Sequence, residues 1–225
     1  MLTTEVVEAV NNVIFDMDGV LMDSEAVHHW AYEAAFSEHG YHIRIDYKAL
    51  AGMSTEEAIE KVARHKHLTL DASIKERLVA KKRRLAREKL AQGIALISGA
   101  KEVVETLSKN KTLCLASSAS RENVDTFLRL SGFGNCFSFV LSRDEVQRAK
   151  PDPEIYFNAL KLLNCNASNV CVIEDSVAGI SSAQAAGIPV IALVGTQSKE
   201  SLELTKPTLI INSLSELLTH QSGDL

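Results

Sequence analysis

The stretch that decides the predicted fold is Asn12-Val13-Ile14-Phe15-Asp16-Met17-Asp18-Gly19. Its first four residues form a short, mostly apolar run, which predicts a strand buried on both faces. Runs of the same texture recur at residues 112–116, 139–141, 170–173, 190–194 and 209–211, and helix-like segments lie between most of them. This alternation predicts an α/β fold with a doubly wound, Rossmann-like parallel sheet.

Residues 24–93 interrupt the alternation, because they show helical periodicity and almost no strand pattern. Helices are expected over 24–39, from Ser54 onward, where Glu57 completes a capping box, and over about 71–90. We therefore expect an all-helical cap domain at 24–93, inserted into a catalytic core formed by 1–23 and 94–225. The third cap helix is strongly basic, and for it a solvated face is favoured over attraction of anionic substrates; its basic residues are Lys75, Arg77, Lys81, Lys82, Arg83, Arg84, Arg87 and Lys89.

The composition narrows the classes of function. A chain of 225 residues, 46% of them hydrophobic, can bury a core large enough for an enzyme without disulfide staples. A net charge of −5 argues against a nucleic-acid partner. The longest apolar run, 188–194, is too short to cross a bilayer, and the first twelve residues lack a signal-peptide pattern, so a cytoplasmic protein without a membrane partner is expected. The four cysteines show neither a CxxC pair nor zinc-ligand spacing, which favours reduced, buried thiols.

Reactive side chains follow the predicted strands. In a doubly wound sheet, ligands bind at the carboxyl ends of the strands, so the residues just after each run are the candidate site. One such set would be hard to tell from a helix cap or a turn, whereas four sets on one sheet favour a functional site. The four sets are Asp16 and Asp18, Ser117 to Ser120, Lys150, and Glu174 with Asp175.

The residue types in these sets favour phosphoryl transfer. Asp16, Asp175 and Glu174 would crowd several carboxylates together, and Mg²⁺ is the cation that suits such hard oxygen ligands. Asp16 is the candidate nucleophile, because a carboxylate can attack phosphorus and form an aspartyl-phosphate. Asp18, two residues along, is the candidate general acid and base.

The same reasoning predicts a phosphate site. Ser117, with the neighbouring Ser118, follows a strand and precedes a helix start, where hydroxyl and amide groups bind anions. Lys150 would hold the negative charge that develops in the transition state. A small phosphorylated substrate is therefore the expected partner.

Four segments together resemble the motifs of the haloacid dehalogenase superfamily of phosphohydrolases: Phe15-Asp16-Met17-Asp18-Gly19-Val20, Ser117, Lys150-Pro151-Asp152-Pro153 and Ile173-Glu174-Asp175-Ser176. The insertion is similar to the helical cap of the subgroup that contains β-phosphoglucomutase and sugar-phosphate phosphatases, also in Asp23-Ser24-Glu25.

The resemblance implies a role for each matching residue. Asp16 would be the nucleophile and a metal ligand, and Asp18 would be the acid and base and would offer its backbone carbonyl to Mg²⁺. Asp175 would be a ligand, and Glu174 would be one directly or through water. Ser117 and Lys150 would bind phosphate. The presence of Asp18 argues against the dehalogenase branch, which needs neither a metal nor that second carboxylate.

Two enzyme classes stay open within the subgroup. His28 lies where β-phosphoglucomutase has a cap histidine, so it is a candidate substrate-site residue and keeps a phosphosugar isomerase possible, although a packed or solvent-facing histidine is equally compatible with the sequence. The cap loop at 51–55 carries no basic residue for a second phosphate, which favours a Mg²⁺-dependent phosphatase of small metabolites such as sugar phosphates. A regulatory module without turnover is the non-enzyme alternative, and a monomer or weak homo-oligomer is expected.

Overall fold

The computed structural model describes residues 3–218 and contains one six-stranded sheet. All the strand pairs are parallel, and the spatial order is β3-β2-β1-β4-β5-β6. The bounds are β1 (Asn12–Phe15), β2 (Thr112–Ala116), β3 (Phe139–Leu141), β4 (Val170–Glu174), β5 (Val190–Leu193) and β6 (Leu209–Ile211). The predicted doubly wound α/β fold is confirmed, and strand ends differ from the predicted runs by one residue at most.

Helices cover both faces of this sheet, so its two central strands, β1 and β4, are buried at every position and mostly apolar. Val13 and Phe15 of β1 pack into the hydrophobic cluster on one face, while Ile14 belongs to the cluster on the other. This is the alternation that a pleated strand requires. The first face is covered by α1 (Thr3–Glu8), α5 (Ala100–Leu107) and α6 (Arg121–Ser131), and the second by α7 (Glu154–Leu163), α8 (Val177–Ala185) and α9 (Lys199–Glu203).

The inserted segment forms α2 (Glu25–Glu38), α3 (Thr55–His65) and α4 (Ala72–Leu90), with a hydrophobic cluster of its own. Ser54 and Glu57 make the predicted capping box, and the Asp71 side chain accepts a hydrogen bond from the Ile74 amide at 2.8 Å. Ser24 makes no such bond, so α2 begins without a side-chain cap. The exact domain division at 24 and 93 stays a prediction.

Direct contacts join the cap to the core near the carboxyl ends of the strands. The Ser118 hydroxyl donates to the Gly52 carbonyl at 2.8 Å, and the Gln197 amide donates to the Lys48 carbonyl at 2.6 Å. Arg87 of α4 pairs with Glu122 of α6. The cap therefore lies over the edge of the sheet where the predicted site residues emerge.

Candidate active site

The strand ends bring three of the predicted sets together around Lys150. Its ammonium group donates to Asp16 Oδ1 at 2.7 Å, to Glu174 Oε1 at 2.7 Å and to the Ala116 carbonyl at 2.9 Å. Asp16 follows β1, Ala116 ends β2 and Glu174 ends β4, so three adjacent strands share this one cation. Lys150 is 1% exposed, and a buried ammonium needs such partners.

The carboxylates in this cluster outnumber its one cation, Lys150. The excess of negative charge shifts the pKa values of these groups. Burial raises the pKa of Asp16 to about 7, with Glu174 and Asp18 adding to the rise and Lys150 opposing it. Burial and the charges of Glu174 and Asp16 hold the pKa of Asp175 well above its usual value. Burial would lower the pKa of Lys150, but the charges of Asp16 and Glu174 raise it well above its ordinary value. The protein alone therefore leaves negative charge uncompensated here.

This excess fits a divalent cation. Oxygen atoms of Asp16, Glu174 and Asp175 lie within 4.8 Å of one another, and all three residues are buried. Gly19, whose φ is +78°, keeps the approach open, because a Cβ at this position would overlap the Asp175 carboxylate. A cluster of hard, anionic oxygens is the donor set that Mg²⁺ prefers.

Glu174 differs from its two neighbours because both of its oxygens already accept hydrogen bonds. Oε1 accepts from Lys150 and from the Tyr156 hydroxyl at 2.9 Å, while Oε2 accepts from the amides of Asp175 and Ser176 and from the Ser176 hydroxyl. These bonds fix the carboxylate at the end of β4. They favour contact with a metal through water over direct ligation.

A second cluster joins the core to the cap. His28 of α2 is 4% exposed, and its Nε2 lies 2.9 Å from Asp18 Oδ1. Lys82 of α4 donates to the other ring nitrogen, Nδ1, at 3.3 Å, which makes Nε2 the protonated nitrogen of a neutral ring. The pKa of Asp18 is lowered. Burial opposes this, but the electrostatic interaction and hydrogen bond with His28, the hydrogen bond with Ser24 and the charge of Lys82 favour the carboxylate. Burial and Lys82 lower the pKa of His28.

Lys82 corrects one of our predictions. The basic face of the third cap helix was expected to be solvated, yet Lys82 is 6% exposed and its ammonium group lies 4.4 Å from the centre of the Tyr32 ring. A signal for this burial was present in the sequence. Lys82 follows Leu78 by four residues and precedes Leu85 by three, so it lies in the apolar stripe of α4.

The predicted serines lie beside the first cluster. Ser117 is fully buried, and its Oγ accepts a hydrogen bond from the Ala119 amide at 3.0 Å. Ser118 lines the cavity under the cap, but its hydroxyl donates to Gly52 of the cap instead of pointing freely to a ligand. Both stay predicted phosphate ligands, with Ser118 also joining cap and core.

The cavity between cap and core has a volume of about 40 Å³. This is room for about three water molecules and far less than a sugar phosphate occupies. A sugar phosphate therefore does not fit into the cavity with the cap in this position. Ser120, from the predicted set Ser117 to Ser120, also lines the cavity. The lining further includes residues that the sequence analysis did not indicate as site residues: Tyr32, Tyr47, Lys82, Arg83 and Asn123.

The fold and this arrangement of residues define a class: a hydrolase of phosphoric monoesters that has a Rossmann-like core, polar residues at the carboxyl edge of its parallel sheet and a helical cap above them. The family model for haloacid dehalogenase-like hydrolases matches residues 13–193. The chain belongs to this family, as its motifs predicted, and is an enzyme.

The chain is similar in sequence to two curated proteins and in structure to a third. The phosphorylated carbohydrates phosphatase of Thermotoga maritima is 34% identical over 220 residues, which are 92% of this chain and 99% of the relative. SUPPRESSOR OF QUENCHING 1 of Arabidopsis thaliana is 33% identical over 217 residues, and the chain spans only 20% of that protein. The structure of β-phosphoglucomutase from Clostridium difficile superposes with a TM-score of 0.80 at 25% identity, covering 93% of each chain.

Within residues 3–218, no helix combines the length and apolar character needed to span a membrane. The cytoplasmic location and the monomeric or weakly associating state stay predictions.

Proposed function

We propose that this enzyme is a Mg²⁺-dependent phosphatase of small phosphorylated metabolites, with sugar phosphates as the substrate class, and that it works through an aspartyl-phosphate at Asp16. The observation that carries the proposal is the arrangement around Asp16. Lys150 donates to its carboxylate at 2.7 Å, and an acidic cluster suited to a metal adjoins it. The name of the Thermotoga maritima relative supports the carbohydrate class of substrate.

In the first step, an oxygen of Asp16 forms a bond to phosphorus as the bond to the leaving oxygen breaks. Asp18 gives a proton to that oxygen, so the product leaves as an alcohol. In the second step, water attacks the phosphorus of the aspartyl-phosphate, Asp18 takes a proton from the water, and the Asp16 carboxylate is restored. The 2.9 Å hydrogen bond to His28 keeps Asp18 oriented in both steps.

Lys150 and Ser117 stabilise the charge on the transferred group. Lys150 is held by three acceptors, so its charge is in place before the reaction and needs no reorganisation. Ser117, at the end of β2, would offer its hydroxyl to a phosphate oxygen, and Ser118 would complete that side of the site once cap movement releases its hydroxyl from Gly52.

Asp16, Asp175 and the backbone carbonyl of Asp18 would hold Mg²⁺, with Glu174 acting through water. When bound, the metal neutralises charge on the carboxylates and on the phosphate oxygens. The cap would exclude bulk water when it closes over the substrate.

A β-phosphoglucomutase-like isomerase is the second candidate, and the contact between His28 and Asp18 is the observation that favours it. A cap histidine on the acid and base residue offers a means to control when water attacks the phospho-enzyme. Against it, a mutase must bind a bisphosphate at both ends. The loop at 51–55 has no basic residue, and the nearby cation Arg83 is already paired with Glu56 at 2.9 Å.

Release of inorganic phosphate from a panel of sugar, nucleotide, glycerol and glycolate phosphates, with and without Mg²⁺, tests the proposal. We expect Mg²⁺-dependent release that Asp16→Asn abolishes, while Asp125→Asn, a change at an exposed position of α6, leaves it intact. Hydrolysis retained in Asp16→Asn would refute the nucleophile. Conversion of β-glucose 1-phosphate with catalytic bisphosphate to glucose 6-phosphate, without net phosphate release, would establish the isomerase instead.

A further inference from the structure

Unpartnered polar atoms mark one side of the cavity under the cap. Within residues 3–218, Ser120 Oγ, Asn123 Oδ1 and Arg83 Nε are buried and have no hydrogen-bond partner. All three residues line the cavity together with Asp16 and Asp18, and Ser120 and Asn123 are only 7% and 2% exposed. Buried polar atoms nearly always have partners, so three unpartnered ones on residues that line a single cavity indicate a ligand.

These atoms lie where the leaving group of a substrate would bind. Ser120 and Asn123 belong to the start of α6, and Arg83 belongs to α4 of the cap, so the group bridges the two layers that close on the substrate. Asp16 and Lys150, by contrast, lie on the core side, where the transferred phosphate would bind.

The chemistry of the three residues favours neutral hydroxyl groups. A serine hydroxyl and a carboxamide each provide both donors and acceptors, which is what a sugar hydroxyl requires. Arg83 provides a donor, but its charge is already compensated, because its guanidinium lies 2.9 Å from Glu56 and 3.9 Å from Asp144. The guanidinium of Arg83 is therefore matched by two carboxylates. The other cation that lines the cavity, Lys82, already contacts His28 Nδ1 at 3.3 Å and the Tyr32 ring.

We propose that Arg83, Ser120 and Asn123 form a leaving-group subsite that binds hydroxyl groups of polyhydroxylated monophosphates. The inference rests on the proposed phosphatase function, which it deepens by naming the feature that selects the substrate. Sites built to pair with hydroxyl groups discriminate strongly against analogues that lack them, because their buried polar groups are then left unpaired.

The test compares kcat/KM for the better of glucose 6-phosphate and ribose 5-phosphate with that for n-butyl phosphate, whose carbon chain carries no hydroxyl group. Ser120→Ala and Asn123→Ala should each reduce this ratio about tenfold, as expected for the loss of one hydrogen bond. Because the ratio cancels any loss of folded protein, a destabilised variant still gives an answer. Asp125→Ala, at an exposed position of the same helix, should leave the ratio unchanged.

Ratios that stay within twofold of wild type in both variants would overturn the subsite.

Calorimetric binding to the Asp16→Asn variant separates this inference from the proposed function. The sugar monophosphate should bind more tightly than butyl phosphate, and adding Asn123→Ala should erase that preference. If wild type turns over no phosphate ester while the binding preference and its loss are observed, the phosphatase proposal fails and the subsite stands. If hydrolysis occurs but no preference exists in either assay, the subsite fails alone.

Discussion

Replacing Lys82 with methionine should stabilise the folded protein at neutral pH. The Lys82 ammonium group is buried beside His28, the Tyr32 ring and Arg83, with the carboxylates of Asp18 and Glu56 further off. Burial, with the charge of Arg83, lowers the pKa of Lys82 from 10.5 to about 8, although Asp18 and Glu56 oppose the shift. At about 1.4 kcal/mol per pKa unit, keeping this lysine charged costs the fold about 3 kcal/mol at pH 7.

The sign of the pH dependence follows from proton binding. Between pH 8 and 10.5 the unfolded chain holds the Lys82 proton and the folded protein releases it, so wild-type stability rises with pH in this window. Lys82→Met lacks this contribution. Its advantage of up to about 3 kcal/mol at pH 7 should therefore shrink by about 2 kcal/mol by pH 9.5.

Urea unfolding of both proteins without added metal or phosphate, at pH 7.0, 8.5 and 9.5, measures this difference. Lys75→Met is the matched control, because Lys75 lies on the exposed side of α4 and pairs with Glu60 at 3.1 Å. A Lys82→Met protein that is less stable than wild type at pH 7, or a stability difference that does not change with pH, would refute the reading of Lys82 as a buried cation retained at a cost in stability.

Three further predictions concern the metal site and the stability of the cap. Gly19→Ala should abolish hydrolysis and Mg²⁺ binding, because the new Cβ overlaps the Asp175 carboxylate. It should also lower the free energy of unfolding by about 1–2 kcal/mol, because the φ of this position is +78°. Calorimetry with Mg²⁺ measures the first effect, and urea unfolding measures the second. Ser54→Ala should cost about 1 kcal/mol in urea unfolding through loss of the capping box. Chelation with EDTA should stop phosphate release, and added Mg²⁺ should restore it, because the acidic cluster needs a compensating cation.

Each of these has its own control. Gly40→Ala introduces the same type of strain, at a φ of +83°, where a Cβ meets nothing within 4 Å, so it should lose stability but keep activity. Activity lost equally in both glycine variants would show that strain, not the approach to Asp175, is responsible. Ser54→Thr should recover most of the stability lost in Ser54→Ala. Hydrolysis that continues undiminished in EDTA would contradict the metal requirement.

The sheet and its catalytic edge were predictable because they depend on local patterns. A uniformly apolar run such as 12–15 predicts a strand covered on both faces, and in a parallel sheet the carboxyl ends of all strands meet at one edge. Asp16, Ser117 and Glu174 could therefore be placed together although they are far apart in the chain. The capping box at Ser54 and Glu57 was equally readable, since its partners are three residues apart.

The cap face of the site could not be predicted in the same way. His28 was compatible with a packed, a solvated or a catalytic position, and only the packing of α2 against α4 places it between Asp18 and Lys82. The charge of Lys82 suggested a solvated face, although its position in the apolar stripe indicated burial. The stripe was the better guide here because the ammonium group has acceptors and a ring to contact.

The sequence by itself determined the fold class, the family and the catalytic edge, because short-range patterns and motif residues at strand ends carry that information. Only the tertiary structure decided which charges are compensated and which polar atoms are left for a ligand. Arg83 contacts Asp144, and Lys82 contacts His28, although the partners lie tens of residues apart in the sequence and on different helices. These contacts depend on how the cap packs internally and docks on the core, and no local pattern encodes that geometry.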